Sequence, residues 1–137
     1  MFGMDRPAVR DGALLFLRLV IGAVFVAHGW DKIFLTGVPE TAAQFAEMGI
    51  PQAQMTVWLV AIVEIIAGAL LILGLLGPFV AGVLIVEMFA ALWFVHINNG
   101  LFVSDGGFEY ALVMIAALSI VVTFGSGRAS LDRVFTR

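Results

Sequence analysis

The chain has 137 residues, of which 62% are hydrophobic and 12% are charged, and its mean hydropathy is +1.09. This composition excludes an ordinary soluble domain, in which about 25% of residues are charged, and it indicates a membrane protein. The net charge of −3 excludes a basic nucleic-acid-binding surface, and the lack of cysteine excludes disulfides, iron–sulfur clusters and thiol relays. Redox chemistry would therefore need a bound cofactor, a metal or a partner protein.

Four apolar segments are predicted to cross a bilayer, which takes about 20 mostly apolar residues per helix. We place these spans at about residues 13–32, 55–76, 78–97 and 108–124. Together they predict an all-α integral membrane protein, a four-helix bundle that forms a single domain over residues 1–137. The fourth span is the shortest, so we expect it to begin within the headgroup layer.

The connection between the first two spans is predicted to contain a short helix. Pro39 suits the first turn of a helix, and Gly49 followed by Pro51 ends it. The predicted helix has an apolar face, formed by Ala42, Phe45 and Ala46. This face would let the helix lie at the membrane surface. Two interpretations stay open, a lid over the outer end of the bundle and an interfacial connector without function.

The distribution of lysine and arginine predicts the orientation of the spans. Arg6 and Arg10 precede the first span, and three cations follow the last, namely Arg128, Arg133 and Arg137. The long connections carry a single cation, Lys32. The positive-inside rule then places both termini in the cytoplasm, and an even number of spans agrees with this.

Three charged residues are predicted to form a buried polar core. Glu64 and Glu87 each lie about nine residues into a span, roughly 13 Å deep, on helices joined only by residues 74–78. Two carboxylates at similar depth cannot both ionise cheaply, so we expect at least one to keep its proton. Arg18 either extends to the headgroups or turns inward to pair with a carboxylate, and we favour a pair with Glu64.

A second polar cluster is predicted at the outer end of the bundle, where His28, Lys32, His96 and Glu109 come to one level. Lys32 follows His28 by four residues and so shares a helix face with it. One interpretation is an ordinary hydrated interface. The other is a pocket that binds a quinone headgroup or another small polar ligand.

Metal and haem sites are disfavoured by the same residues. His28 and His96 could face one another near the outer surface, but no haem attachment motif is present. A divalent metal would need His28, His96 and Glu109 together, and nothing in their spacing selects for it. We therefore expect no resident metal or haem, and a quinone is the one cofactor that we retain as a hypothesis.

Ordered motifs along the chain resemble those of the DoxX family of small four-helix bacterial membrane proteins. They are Arg18, Gly22, Phe25, His28, Gly29, Lys32, Phe45, Gly49-Ile50-Pro51, Glu64, Gly68, Leu73-Gly74-Leu75, Gly107, Glu109 and the tail from Gly125 to Asp132. The resemblance implies the four-helix fold and a multi-pass protein of the bacterial plasma membrane. It also implies redox chemistry, because relatives look like subunits of quinone-linked sulfur oxidation or partners of soluble redox and detoxifying enzymes.

The leading hypothesis is an accessory membrane subunit of a redox system, rather than a self-contained enzyme, that binds a quinone-like ligand or a partner oxidoreductase. The expected partners are the bilayer, a soluble redox enzyme or another membrane subunit, and a second copy of the chain, with no nucleic acid. A small proton-coupled transporter or permease subunit is the first alternative, since buried acids on adjacent spans suit it. A structural or assembly protein is the second alternative.

Overall fold

The computed structural model describes residues 7–135, apart from the side chain of Asp105, so Arg6 and Arg137 lie outside the described residues. Over this range the protein is all-helical, as predicted, and contains no strand. Its α-helices are α1 (Pro7–Trp30), α2 (Val38–Glu47), α3 (Ala53–Leu73), α4 (Gly77–Ala91), α5 (Glu109–Phe124) and α6 (Leu131–Phe135).

Three helical stretches between residues 7 and 135 are long and apolar enough to cross a membrane, and they are Pro7–Leu35, Ala53–Leu73 and Gly77–Asn99. The first stretch exceeds α1 because a π-helical turn continues it at Asp31–Leu35. The third exceeds α4 because a π-helical turn at Leu92–His96 and a 3-10 turn at Ile97–Asn99 follow it. The α5 helix is apolar but shorter, with 16 residues. The first helix begins at Pro7 rather than at residue 13, where the apolar run begins.

One apolar core is shared by α1, α3, α4 and α5, with fully buried side chains that include Phe25, Leu71, Leu84 and Leu118. The outer faces of these helices are apolar too, and Phe16 is 71% exposed. A helix that is hydrophobic all round needs an apolar environment on both sides, which a bilayer provides.

Helices α1 and α3 pack backbone to backbone through glycine. A Cβ atom added to Gly22 would lie 2.6 Å from the carbonyl oxygen of Gly68, and one added to Gly68 would lie 2.6 Å from that of Gly22. Further along α1, a Cβ atom added to Gly29 would lie 2.6 Å from the carbonyl oxygen of Ala61. Small residues permit this approach, as is common between membrane helices, and it brings the end of α1 over the middle of α3.

Different segments of the chain pack over the two ends of the helix bundle. At the end where α1 finishes and α3 begins, α2 packs against α3, and we call this the α2 end. At the opposite end, Gly74 terminates α3 with a φ of +72°, and Leu76 precedes α4 with a φ of +55°. The tail carrying α6 packs on this turn, since the amide of Asp132 donates to the carbonyl of Gly74 at 2.9 Å. We call it the α6 end.

Candidate functional site

A pocket of about 290 Å³ opens at the α2 end between α1, α3, α4 and α5. Seven of its lining residues carry hydrogen-bonding side chains, and they are His28, Lys32, Thr56, Glu64, Glu87, His96 and Tyr110. The remaining lining is aliphatic, aromatic or methionine. The pocket thus joins apolar walls to a few convergent polar groups, which is the usual make-up of small-molecule sites.

The short helix α2 and the turn after it contribute to the wall of this pocket. Phe45 of α2 lines it together with Met48 and Ile50. The helix begins at Val38 with Pro39 in its first turn, and Gly49 follows its end with a φ of +82°. Of the predicted apolar face of α2, Phe45 lines the pocket, and the turn after the helix supplies the other two lining residues of this segment.

The base of the pocket holds a buried ion pair between Lys32 and Glu64. The ammonium nitrogen lies 2.7 Å from Oε1 of Glu64, and the two side chains are only 17% and 4% exposed. The same ammonium group donates to the carbonyl of His28 at 3.5 Å. Lys32 lies in the π-helical turn that continues α1, and such turns often occur at functional sites.

Glu87 of α4 lies beside this pair. Its carboxyl group is within hydrogen-bonding reach of that of Glu64, as their predicted common depth requires, and it also interacts electrostatically with Lys32. A hydrogen bond between two carboxyl groups requires a proton on one of them. The Oε2 atom of Glu87 is buried without a hydrogen-bond partner. Two acids and one cation therefore form a single interacting group.

Arg18 does not join this group, which corrects the predicted pair with Glu64. The side chain is fully buried as expected, but it points to the α6 end. It donates from Nη1 to the carbonyls of Leu71 at 3.2 Å and Ile72 at 3.4 Å, and from Nη2 to that of Ala129 at 2.5 Å. The last carbonyls of a helix lack partners within the helix, so a guanidinium fork at the end of α3 satisfies them.

Asp132 caps the next helix from the same end, a role that sequence reasoning missed. Its carboxylate accepts from the amides of Leu76 at 2.6 Å and Gly77 at 2.8 Å, and from the hydroxyl of Ser126 at 2.7 Å. Burial alone would raise its pKa, but these hydrogen bonds and the positive charge of Arg18 lower the pKa below its usual value. The signal was the Gly125–Asp132 motif together with a helix α4 that has no capping side chain of its own.

Both predicted histidines line the pocket, and the backbone fixes one ring nitrogen of each. Nδ1 of His28 donates to the carbonyl of Val24 at 2.8 Å, and Nδ1 of His96 donates to that of Gly106 at 2.7 Å. The ring of His28 also stacks on Tyr110 with centroids 5.3 Å apart. Sequence reasoning missed Tyr110, although it directly follows a predicted site residue, Glu109, at the start of α5.

Glu109 is not among the pocket residues, which corrects its predicted place there. Its carboxylate accepts from the amide of Val103 at 2.9 Å, and its own amide donates to the carbonyl of Leu101 at 2.8 Å. Gly107 lies so close to the carbonyl of Gly100 that a side chain would not fit. Glu109 therefore holds the loop before α5 in shape, and this loop in turn supplies the carbonyl that orients His96.

Among the side chains that the structure describes, which leave out that of Asp105, no group of three His, Asp or Glu residues lies close enough to hold a metal ion. The chemistry that the pocket offers is therefore that of an ion pair, a second carboxyl group, two imidazoles and a phenol. These groups can orient a polar ring and exchange protons with it.

Comparison with known proteins shows similarity over most of the chain. The sequence model described as DoxX matches residues 13–97. An uncharacterized protein of Haemophilus influenzae is 33% identical over 125 residues, which cover 89% of this chain and 90% of that protein. A Bacillus subtilis protein named "Putative oxidoreductase CatD" is 27% identical over 118 residues, covering 86% of this chain and 83% of that protein. No solved structure matches the chain at a significant level.

Proposed function

The chain belongs to the DoxX family of membrane proteins, and we propose that it is a redox-linked accessory subunit that binds a quinone-like ligand in the α2-end pocket. The observation that carries the proposal is the pocket itself, in which apolar walls meet the buried group formed by Lys32, Glu64 and Glu87. Its volume of about 290 Å³ is just below the range of ligand sites, which runs from about 300 to 1,000 Å³. It therefore suits the ring of a lipid-soluble quinone, with the tail left in the bilayer.

The proposal includes a topology in the bacterial plasma membrane. We take α5 as a fourth, short span, since its 16 residues reach about 24 Å. Exposed arginines cluster at the α6 end, namely Arg10, Arg128 and Arg133, so this end would face the cytoplasm. The α2 end and its pocket would then face outward.

The redox link of the proposal is supported by the name of a relative. The name of the Bacillus subtilis relative describes an oxidoreductase. Because this chain has no cysteine, we expect its redox partner to be a separate oxidoreductase, soluble or membrane-bound, that exchanges electrons with the ligand. Such a partner would dock at the α2 end, close to the pocket.

The test is ligand binding by the purified protein in lipid nanodiscs. A short-chain ubiquinone should quench the fluorescence of the three tryptophans in a saturable way. Glu87→Gln should change the affinity several-fold, while the control Ser119→Ala, on the exposed face of α5, should not. Saturable binding, or an oxidoreductase captured by crosslinking in cells, supports the proposal. If neither is observed, the proposal is wrong.

A proton-coupled transporter is the second candidate, and the contact between the carboxyl groups of Glu64 and Glu87 favours it, because a hydrogen bond between two carboxyl groups requires a proton on one of them. Protein reconstituted in liposomes would then carry protons down an imposed pH gradient, and Glu87→Gln would stop this flux. A four-helix protomer would have to associate with a second copy to enclose a path. If Glu87→Gln changes neither binding nor flux and only lowers stability, a structural or assembly role is left.

A further inference from the structure

We infer that the α2-end pocket binds the reduced, hydroxyl-bearing form of its ring ligand, the quinol, in preference to the oxidised quinone. The inference rests on the proposed function, because it concerns which form of a quinone-like ligand the same pocket takes. It comes from the balance of hydrogen-bond donors and acceptors among the residues that line the pocket.

Both imidazoles present acceptors. A backbone carbonyl can only accept, so the contacts of His28 with Val24 and of His96 with Gly106 place the proton on Nδ1 in each ring. In the neutral form the other nitrogen, Nε2, then carries a lone pair. Nothing within residues 7–135 donates a hydrogen bond to either Nε2 atom. Two pocket residues are thus fixed as acceptors by the backbone around them.

The carboxyl group of Glu87 adds a third acceptor. Its Oε2 atom is buried without a hydrogen-bond partner. The same carboxyl group makes a hydrogen bond with the carboxyl group of Glu64. If one proton is shared in that contact, Oε2 stays an acceptor whichever of the two acids holds the proton. A buried acceptor without a donor carries a desolvation cost, and a hydroxyl group that reaches Oε2 as the pocket lining adjusts to the ligand would remove that cost.

Donors are fewer, and the strongest of them is engaged. Lys32 directs one N–H to Glu64 and another to the carbonyl of His28, which leaves one of its three. Thr56 donates its hydroxyl to the carbonyl of Pro51. The phenol of Tyr110 can donate or accept. The donors left for a quinone carbonyl are therefore one N–H of Lys32 and the phenol of Tyr110, against three acceptors.

The two redox forms of the ligand differ in whether their oxygen atoms can donate hydrogen bonds, which is the property that the pocket selects. A quinone presents two carbonyl oxygens, which only accept, and a quinol presents two hydroxyl groups, which donate. A quinone oxygen facing an imidazole lone pair loses its water without gaining a hydrogen bond. We expect the quinol to bind at least tenfold more tightly. For a two-electron couple, a tenfold preference for the reduced form raises the midpoint potential of the bound ligand by about 30 mV.

The experiment compares three ligands with one ring under anaerobic conditions, using the protein in nanodiscs. They are a short-chain ubiquinol, the matching ubiquinone, and the dimethyl ether of the quinol, which keeps the ring and loses both donors. We expect the quinol to bind at least tenfold more tightly than the other two. His28→Phe retains a ring against Tyr110 and removes Nε2, so it should reduce this preference, and His96→Phe should do the same. Ser119→Ala should leave it unchanged.

The outcomes separate this inference from the proposed function. If the quinone or the ether binds as tightly as the quinol, the preference is wrong while a quinone-like site stands. An undiminished preference in both histidine variants also overturns it, because the imidazoles would then not be its source. If none of the three ligands binds, the inference and the proposed quinone site fail together.

Discussion

The ammonium group of Lys32 lies 2.7 Å from the carboxylate of Glu64, so a cation at the end of α1 neutralises an acid in the middle of α3. This pair ties together two helices whose backbones already touch at glycine. Arg18 takes no part in this pair and donates to backbone carbonyls at the other end of the molecule.

Breaking the pair on one side should destabilise the protein strongly. Lys32→Met or Glu64→Gln alone leaves the other group buried without its partner, which typically costs about 3–5 kcal/mol. The double variant should be more stable than either single one, as measured by thermal unfolding in detergent. If the losses of the two single variants simply add in the double variant, the groups are not coupled.

The glycine contact between α1 and α3 gives a second prediction. Gly22→Ala and Gly68→Ala each place a methyl group 2.6 Å from a carbonyl oxygen of the facing helix, so the helices must separate. We expect a loss of about 1–3 kcal/mol in the free energy of unfolding for each. Gly82→Ala is the matched control, since its added atom has nothing within 4 Å. Equal effects at all three positions would show that helix propensity, and not contact, is being measured.

Asp132 should make stability depend on acidity. Its lowered pKa means that its stabilising effect is complete above the unfolded value of about 3.8 and is lost as the pH falls through the folded value. Asp132→Asn should therefore cost about 1–2 kcal/mol near pH 7, by weakening the cap of α4. Denaturant unfolding between pH 7 and pH 3 should show the gap between the two proteins closing at the acidic end. A gap that stays constant would mean that the carboxylate charge is unimportant.

Arg18 should matter for stability and not for ligand binding. Arg18→Leu removes the donors to Leu71, Ile72 and Ala129, and hydrogen bonds of this charged kind are each worth about 1.5–3 kcal/mol. The melting temperature should fall, while the affinity of the folded fraction for a short-chain quinone should stay within about twofold. An affinity change as large as the one expected for Glu87→Gln would place Arg18 in the functional group after all.

Topology can be tested directly because the chain has no cysteine. Thr41 is buried, so the exposed neighbour Glu40 is the better position on α2 for a reporter cysteine. Glu40→Cys should react with a membrane-impermeant thiol reagent in intact cells, and Arg133→Cys should react only after the membrane is permeabilised. The reverse pattern would invert the protein and put the pocket on the cytoplasmic side.

Helical character and approximate extents followed from hydropathy alone, because length and apolarity are local properties of the sequence. Glu64 and Glu87 were expected at the same depth for a similarly local reason, since their helices are joined by a turn of a few residues. The pairing of Glu64 with Lys32 could not be predicted in this way. Depth estimates assume straight α-helices, and Lys32 lies in a π-helical turn that hydropathy does not register.

Arg18 was assigned a carboxylate because charge pairing is the familiar way to bury a guanidinium. Its actual acceptors are backbone carbonyls. Every residue has such a carbonyl, so the sequence does not indicate which of them lie near the guanidinium group. The same holds for Glu109, whose acceptor role in the loop depends on a backbone conformation that the sequence does not specify. Tyr110 was overlooked because an aromatic residue at the start of a span is usually explained by the membrane interface.

The contact between Arg18 and Ala129 joins residues that are 111 positions apart along the chain. Ribosomal synthesis proceeds from the N-terminus, so α1, α3 and α4 are all made before the segment that closes this contact. Until that segment leaves the ribosome, the first amides of α4 lack the carboxylate of Asp132 and have only water or lipid headgroups as partners. A nascent chain stalled before the tail should therefore be more open to proteases at residues 74–77 than the finished protein.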